Sequence, residues 1–145
     1  IHYYRQHLER QVNLQANDYE LIRQLIPEIL RRQKGEIWQV VNENGAVDAC
    51  GLFVLSHDRV INLFGASGAG GKQGFAMHFL LDALIRRYAS TYEIFDFEGS
   101  EIEGIAAFFR SFGAIEEYYY QHYWEQLPLW LGGLLRMRSL LQGAG

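Results

Sequence analysis

The stretch "NLFGASGAGGKQGFAMHFLLDALIRRYA", residues 62–89, determines how the rest of this sequence is interpreted. An apolar run enters a segment with four glycines in seven residues, and an amphipathic helical pattern follows it. A glycine-rich loop between a strand and a helix can present backbone N–H groups to a phosphate, because helix N-termini attract anions. It can also be a flexible connection that binds nothing. The neighbouring elements have to decide between these alternatives.

The region before this stretch predicts helices. Apolar positions recur at helical spacing through residues 1–34, and the beginning of that range reads as a separate short helix. Asn17 or Asp18 is expected to cap the longer helix, since both residue types accept hydrogen bonds from the first free N–H groups. Pro27 falls inside the pattern and predicts a kink or a break there.

Three strands are predicted next, as an antiparallel meander. Asn44-Gly45 favours a hairpin turn in which both central residues take a positive φ, and His57-Asp58 marks a second turn. The predicted strands are residues 36–42, 46–56 and 59–66.

The pattern then alternates between helix and strand. Residues 75–88 predict a helix that buries one apolar face and leaves His78 in solvent. The run 92–97 predicts a buried strand, and the helix after it is expected to begin with a capping box of Ser100 and Glu103. Its predicted core face is Ile102, Ile105, Phe109 and Phe112, an aromatic strand is predicted at 116–124, and "LPLWLGGLLRMRSLL" predicts a terminal helix. We therefore expect an α/β fold with a mixed sheet, in which an antiparallel meander is followed by β-α-β-α-β within a single domain, residues 1–145.

Composition restricts the functional classes. The chain has 145 residues, of which 49% are apolar and 21% charged, as expected for one globular domain. The net charge of −4 disfavours binding to DNA or tRNA. The lone Cys50 predicts a buried thiol and is compatible with a reducing, cytoplasmic compartment. The terminal helix is expected to pack internally or against a second subunit in a homo-oligomer, not to insert into a membrane, and no metal is expected because the histidines lack ligand spacing.

Two nucleotide-binding motifs do not fit the glycine segment. Residues 66–72 match A-x-x-x-x-G-K, but Gln73 stands where a P-loop has the Ser or Thr that binds Mg²⁺. The glycines also lack the G-x-G-x-x-G spacing of a dinucleotide site, and no βαβ unit begins the chain.

The order of elements and the segment "FDFEGSEIEGIAAFFRSFGA", residues 95–114, resemble the GNAT acyltransferase superfamily, in the branch related to the Fem peptidoglycan-bridge aminoacyltransferases. The resemblance covers roughly residues 35–125. In that fold the loop after the fourth strand binds the pyrophosphate of coenzyme A at the next helix N-terminus, so the resemblance implies this role for the glycine-rich loop. It also implies that the thioester lies between strands 60–66 and 92–97. Two positions depart from the family pattern: Gly71 replaces a Gln or Arg, and Phe109 replaces a Tyr that acts as general acid. The carrier-binding residues implied are Phe64, Ala66, Gly70, Gly71, Lys72, Gly74, Phe75 and Ala76.

Four residues are candidates for catalysis. Asp96 and Glu98 share one face at the end of a predicted strand, where either carboxylate could accept a proton from an attacking amine. Asp96 could instead satisfy N–H groups of the adjoining turn. Tyr120 and His122 share one side of the predicted aromatic strand and could act as acid and base, although aromatic residues also favour half-buried edge strands without any catalytic role.

The resemblance implies an N-acyltransferase that moves an acetyl or aminoacyl group from acetyl-CoA, another acyl-CoA or a similar carrier to an amine acceptor. Fem enzymes are implied to use aminoacyl-tRNA, which the acidic charge makes doubtful for this domain alone. The relatives often contain two such domains, so the chain is compatible with one half of a tandem protein. The alternative is a catalytically silent GNAT-fold module that binds a partner or dimerises.

Overall fold

A computed structural model describes residues 2–8, 15–100, 102–118 and 120. Tertiary contacts divide the chain into two compact units, residues 1–114 and 115–145. The helices and strands of the described residues all lie in the first unit. In chain order they are α1 (His2–Leu8), α2 (Ala16–Arg31), β1 (Gly35–Val41), β2 (Val47–Ser56), β3 (Arg59–Ser67), α3 (Ala69–Gln73), α4 (Ala76–Tyr88), β4 (Ile94–Asp96) and α5 (Glu103–Arg110).

The four strands form one mixed sheet in the order β1-β2-β3-β4. The first three pair antiparallel, and β4 joins β3 in parallel after the α4 crossover. The predicted α/β class and meander are confirmed, with strand ends shifted by one residue. The fourth strand is shorter than the predicted 92–97.

The first hairpin turn differs in type from the predicted one. Gly45 has a φ of 79°, whereas Asn44 does not have a positive φ. The Gly45 N–H donates to the Asn42 carbonyl at 2.9 Å, and the Asn42 side-chain oxygen accepts from the N–H groups of Asn44 and Ala46 at 3.0 Å each. The loop is thus a turn followed by a single left-handed glycine, with Asn42 as its polar anchor.

One face of the sheet packs against α4. The predicted apolar face of this helix is confirmed, because Leu80, Leu81 and Leu84 are almost completely buried. They contact Phe53 of β2 and Val60 of β3, which are also inaccessible to solvent. Side chains alternate along a strand, so this contact fixes which residues of β2 and β3 face the core.

The opposite face of the sheet lies under α1 and α2. Tyr4 of α1 and Ile22 and Ile26 of α2 line a small space with Ile37 and Leu52 of the sheet. A kink or a break was predicted at Pro27; helix α2 continues through this residue, so there is no break. The helix begins at Ala16, and Gln15 is its N-cap instead of the predicted Asn17 or Asp18. Asp18 lies in the first turn, where its carboxylate accepts the Gln15 N–H at 2.7 Å.

Helix α5 differs from its predicted start and from part of its predicted core face. It begins at Glu103, and the Ser100 hydroxyl accepts the N–H of Ile102 at 3.1 Å, so the predicted capping box is not formed. Ile102 is exposed, whereas Phe108 and Phe112 pack against the core. Phe112 therefore packs as predicted, Ile102 does not, and Phe108 is an additional aromatic contact that was not predicted.

The predicted aromatic strand lies mostly outside the described residues. Residues 116–118 and 120 are described and do not form a strand. His122 and the predicted terminal helix lie outside the described residues. Among the helices that are described, none combines the length and the apolar character needed to cross a membrane.

Candidate functional site

Strand β4 pairs in parallel with β3 along its whole length of three residues, and β3 continues beyond it. Their paired residues are Arg59 with Ile94, Val60 with Phe95 and Ile61 with Asp96. Strand β3 continues to Ser67, and no other described strand pairs with this part of its outer edge. Ligands of α/β sheets bind beyond the carboxyl ends of parallel strands, so the part of β3 that continues past the end of β4 is the candidate site.

Asn62 is the first residue beyond the last β3–β4 pair. Its side chain is 8% exposed, and its amide oxygen is buried without a hydrogen-bond partner among the described residues. A register shift beside it leaves Leu63 as an extra residue in β3, which is a β-bulge. A buried acceptor without a donor lowers the free energy of unfolding, so the unpaired Asn62 oxygen beside the end of β4 needs an explanation.

The start of the glycine segment is anchored to β2 through one carbonyl. The Asp48 carbonyl accepts hydrogen bonds from the Gly68 N–H at 3.1 Å, the Ser67 hydroxyl at 3.1 Å and the Tyr3 hydroxyl at 3.0 Å. The Gly68 N–H also donates to the Tyr3 oxygen at 2.8 Å. Burial raises the pKa of Tyr3, so the hydroxyl remains a donor well above neutral pH. Helix α1 is thereby attached to the glycine segment.

Gly71 has a steric reason to be glycine. It is buried against β2, and a Cβ at this position would lie 1.9 Å from the Asp48 carbonyl oxygen. No larger residue fits unless the backbone moves. The departure from the family pattern at this position therefore follows from close packing.

The glycine segment is folded into the short helix α3. The N–H groups of Lys72, Gly74 and Phe75 donate to the carbonyls of Gly68, Gly70 and Lys72, at 2.9, 2.9 and 3.4 Å. The first hydrogen bond of α4 runs from Phe79 to Phe75, so the N–H groups of residues 76–78 precede the intrahelical ladder. These three groups are the donors that this end of α4 could offer to an anion.

The predicted carrier-binding residues fall into two groups. Gly70, Gly71, Lys72, Gly74, Phe75 and Ala76 lie together in α3 and at the start of α4, and Ala66 is buried near the end of β3. Phe64 points away from them toward α1, where its ring meets the Tyr4 ring edge-on with centroids 5.1 Å apart. The structure thus brings the predicted segment together but gives Phe64 a packing role.

The two predicted carboxylates have different surroundings. One oxygen of Asp96 accepts from Arg59 at 3.1 Å, and the other accepts the N–H of Glu98 at 2.8 Å. These bonds match the structural alternative for Asp96, in which it satisfies the adjoining turn. Glu98 is exposed in a left-handed conformation with a φ of 63°. Tyr120, in the second unit, is 92% exposed.

His78 was expected in solvent, but it lies in an aromatic cluster. Its ring is 4.5 Å from Phe108 and 5.6 Å from Phe112, centroid to centroid, and 5.5 Å from Phe75. Helical periodicity placed His78 on the polar face of α4, and it could not show that Phe108 and Phe112 pack against this one residue of that face. Tyr3, Asp48 and Asn62 were also missed, since their roles depend on contacts distant in sequence.

Two cavities lie elsewhere in the first unit. One, a partly open cavity of about 230 Å³, lies between the end of α4 and β4 and is lined by Tyr88, Tyr92 and Glu93 among others. The other, of about 70 Å³, lies beneath α1 and α2 and is lined by Tyr19 and Cys50 among others. Burial raises the pKa of the Cys50 thiol, which makes it a poor nucleophile. The described residues contain no cluster of His, Cys, Asp and Glu side chains suited to a metal.

Comparison with known proteins finds no relative of this chain. No protein-family model matches it, and no significant similarity is found to a curated protein or to a solved structure. The functional argument therefore depends on the residues and their geometry.

Proposed function

We propose that this chain is an N-acyltransferase that moves an acyl group from a coenzyme A thioester to an amine. The observation that carries the proposal is that β4 ends after three paired residues while β3 continues beyond it, with the glycine segment and the start of α4 at the end of β3. This arrangement supports the GNAT-like fold that the sequence suggested. An extended carrier arm could bind along the open edge of β3.

The residues around the opening have chemistry that fits such a donor. The N–H groups of residues 76–78 would hold phosphate oxygens, supported by the favourable field of a helix N-terminus. The Asn62 oxygen is an acceptor located where the amide-containing arm would pass. Since this oxygen is buried, a local movement must accompany its use.

Glu98 is our choice of general base. Both oxygens of Asp96 already accept hydrogen bonds, whereas Glu98 lies exposed just beyond the end of β4. In the reaction, the amine nitrogen forms a bond to the thioester carbon, and the carbon–sulfur bond breaks with release of coenzyme A as a thiolate, which takes a proton from solvent. Glu98 would accept the proton that the amine loses.

A catalytically silent binding module is the second candidate. It is favoured by the hydrogen bonds that α3 makes within itself, because these occupy three N–H groups of the predicted cradle. Phe109, at the position of the family's general acid, stacks on Phe97 with ring centroids 4.8 Å apart and has no proton to donate.

Binding of the donor tests the proposal first. Acetyl-CoA and CoA would be titrated calorimetrically, and the melting temperature followed in parallel. A ligand at a hundred times its dissociation constant stabilises the folded state by about 2.7 kcal/mol. Release of free thiol would then be measured with acetyl-CoA and primary amines, including spermidine and lysine methyl ester.

The control separates site loss from general damage. Gly74→Phe should abolish binding, since it places a large side chain beside the N–H groups of α4. Gly104→Phe introduces the same residue where nothing lies within 4 Å of the added Cβ, and should bind normally. Absence of binding heat and of a thermal shift at millimolar ligand would refute coenzyme A use. Normal binding without thiol release would favour the silent module.

A further inference from the structure

Two exposed aromatic rings lie next to the proposed phosphate-binding groups. Phe75 is 65% exposed and Phe79 is 67% exposed, one helical turn later. Phe75 is also the N-cap of α4, the residue between the glycine segment and the helix. We name these two residues the aromatic pair.

The backbone of Phe75 has an unusual conformation. Its φ of 55° lies in the left-handed region, which bulky residues rarely adopt because the Cβ crowds the carbonyl oxygen. Its ring meets His78 edge-on and leaves most of its surface to solvent. Neither burial nor backbone preference therefore explains a phenylalanine at this position.

The exposed surface area of the aromatic pair indicates a small bound molecule and not a protein partner. Two rings of this type, exposed by about two thirds, present roughly 250 Å² of surface. A stable protein interface needs about 800 Å² from each partner. A planar base fits the available area, because one ring system can stack on one or two aromatic side chains.

We infer that the aromatic pair binds the adenine ring of the acyl carrier by stacking, beside the phosphates held at the start of α4. This assignment rests on the proposed function for its choice of ligand. A nucleotide has a purine close to its phosphates. In this chain the rings that could stack on a purine, Phe75 and Phe79, adjoin the N–H groups of residues 76–78 that could bind phosphate. The aromatic pair would contribute affinity for the donor and take no part in the transfer of the acyl group.

The two halves of coenzyme A provide the test. Adenosine 3′,5′-bisphosphate contains the base, and 4′-phosphopantetheine does not. We expect Phe75→Gly and Phe79→Ala each to raise the dissociation constants of acetyl-CoA and adenosine 3′,5′-bisphosphate roughly 5- to 150-fold, the range for loss of one base–aromatic stack. The affinity for 4′-phosphopantetheine should not change.

Phe75→Gly has a second readout that separates binding from folding. Glycine adopts a positive φ without steric cost, so the melting temperature should stay the same or rise while nucleotide affinity falls. His57→Gly is the matched control. His57 is exposed with a φ of 49° in the turn at the other end of β3, so the substitution relieves similar strain and should leave affinity unchanged.

The outcomes distinguish this inference from the proposed function. Equal acetyl-CoA affinity in the wild type and both phenylalanine variants would overturn the stacking role and leave the acyltransferase intact. Binding of adenosine 3′,5′-bisphosphate that depends on Phe75, without thiol release to any amine, would support the stacking role and refute the transferase. No binding of either compound would overturn both.

Discussion

The two ends of strand β3 are held in different ways. At its start, β3 pairs with β4, and Arg59 forms an ion pair with Asp96 across the two strands. At its finish, β3 has no described strand on its outer edge, and the chain is held instead by donors that converge on the carbonyl of Asp48. At the first end, which we call the closed end, β3 has a strand on each side. At the second, which we call the open end, the outer edge of β3 has no described strand, and the glycine segment beside it is held in place by hydrogen bonds. The difference locates the proposed site at the end where ordinary sheet pairing stops.

Replacing Gly71 by a larger residue should have the largest effect on the stability of the open end. Gly71→Val would force the added carbon into the Asp48 carbonyl, so we expect the free energy of unfolding to fall by about 3 kcal/mol. Urea denaturation measures the change. Gly70→Ala is the control, since its Cβ would make only an ordinary contact at 3.5 Å with the Asp48 carboxylate. Equal stability of the two variants would show that α3 does not pack on β2.

Removal of one hydroxyl tests the attachment of α1. Tyr3→Phe deletes the bonds to Asp48 and Gly68 but keeps the ring, and should lower the free energy of unfolding by about 1–2 kcal/mol. Tyr4→Phe, on the same helix, keeps its edge-on contact with Phe64 and should change stability less. If the proposed site depends on this attachment, acetyl-CoA affinity should fall in Tyr3→Phe alone. An unchanged denaturation curve would contradict the attachment.

At the closed end the expected effect is smaller. Arg59 and Asp96 have side chains 39% and 30% exposed, so solvent screens their attraction. A double-mutant cycle with Arg59→Met and Asp96→Asn should give a coupling energy of about 0.5 kcal/mol that decreases with added salt. A large loss of transferase activity in Asp96→Asn, with stability unchanged, would instead make Asp96 the base.

Alkaline pH should weaken the open end slightly. Burial raises the folded-state pKa of Tyr3 above its unfolded value of about 10, so the folded state retains this proton longer. The resulting stability is present below pH 10 and is lost as pH rises toward the folded pKa. Denaturation between pH 9 and pH 11 should show a shallower decline for Tyr3→Phe than for the wild type. Parallel curves would mean that the hydroxyl is not protected by burial.

The sequence predicted those parts of the fold that depend on local signals. The three strands of the meander and the buried face of α4 follow from alternation and helical spacing, which are visible in short windows. The first turn was misjudged because the side chain of Asn42, two residues before Asn44, completes its hydrogen bonds. The core face of α5 was predicted in part: Phe112 packs on the core as expected, but Ile102 is exposed and Phe108 was missed, since its contact with His78 of α4 is not visible in any single segment.

The candidate site was less predictable for the same reason. The glycine segment is visible in the composition of the sequence. The steric reason for glycine at position 71 is the carbonyl of Asp48, which lies 23 residues earlier in the chain. Asn62 is an unremarkable residue in an apolar strand until β4 is seen to end beside it. The resemblance to acyltransferases stays a prediction, which the binding experiments address.

The bond between Tyr3 and Gly68 has a consequence for the order in which the chain folds. It joins residues 65 positions apart, whereas β2 and β3 are connected by a turn of two residues. Long loops cost more entropy to close, so the hairpins should form early and the attachment of α1 late. An interaction absent from the transition state slows unfolding without accelerating folding. Tyr3→Phe should accordingly speed unfolding in stopped-flow experiments and leave the refolding rate unchanged, so α1 would act mainly on the lifetime of the folded state.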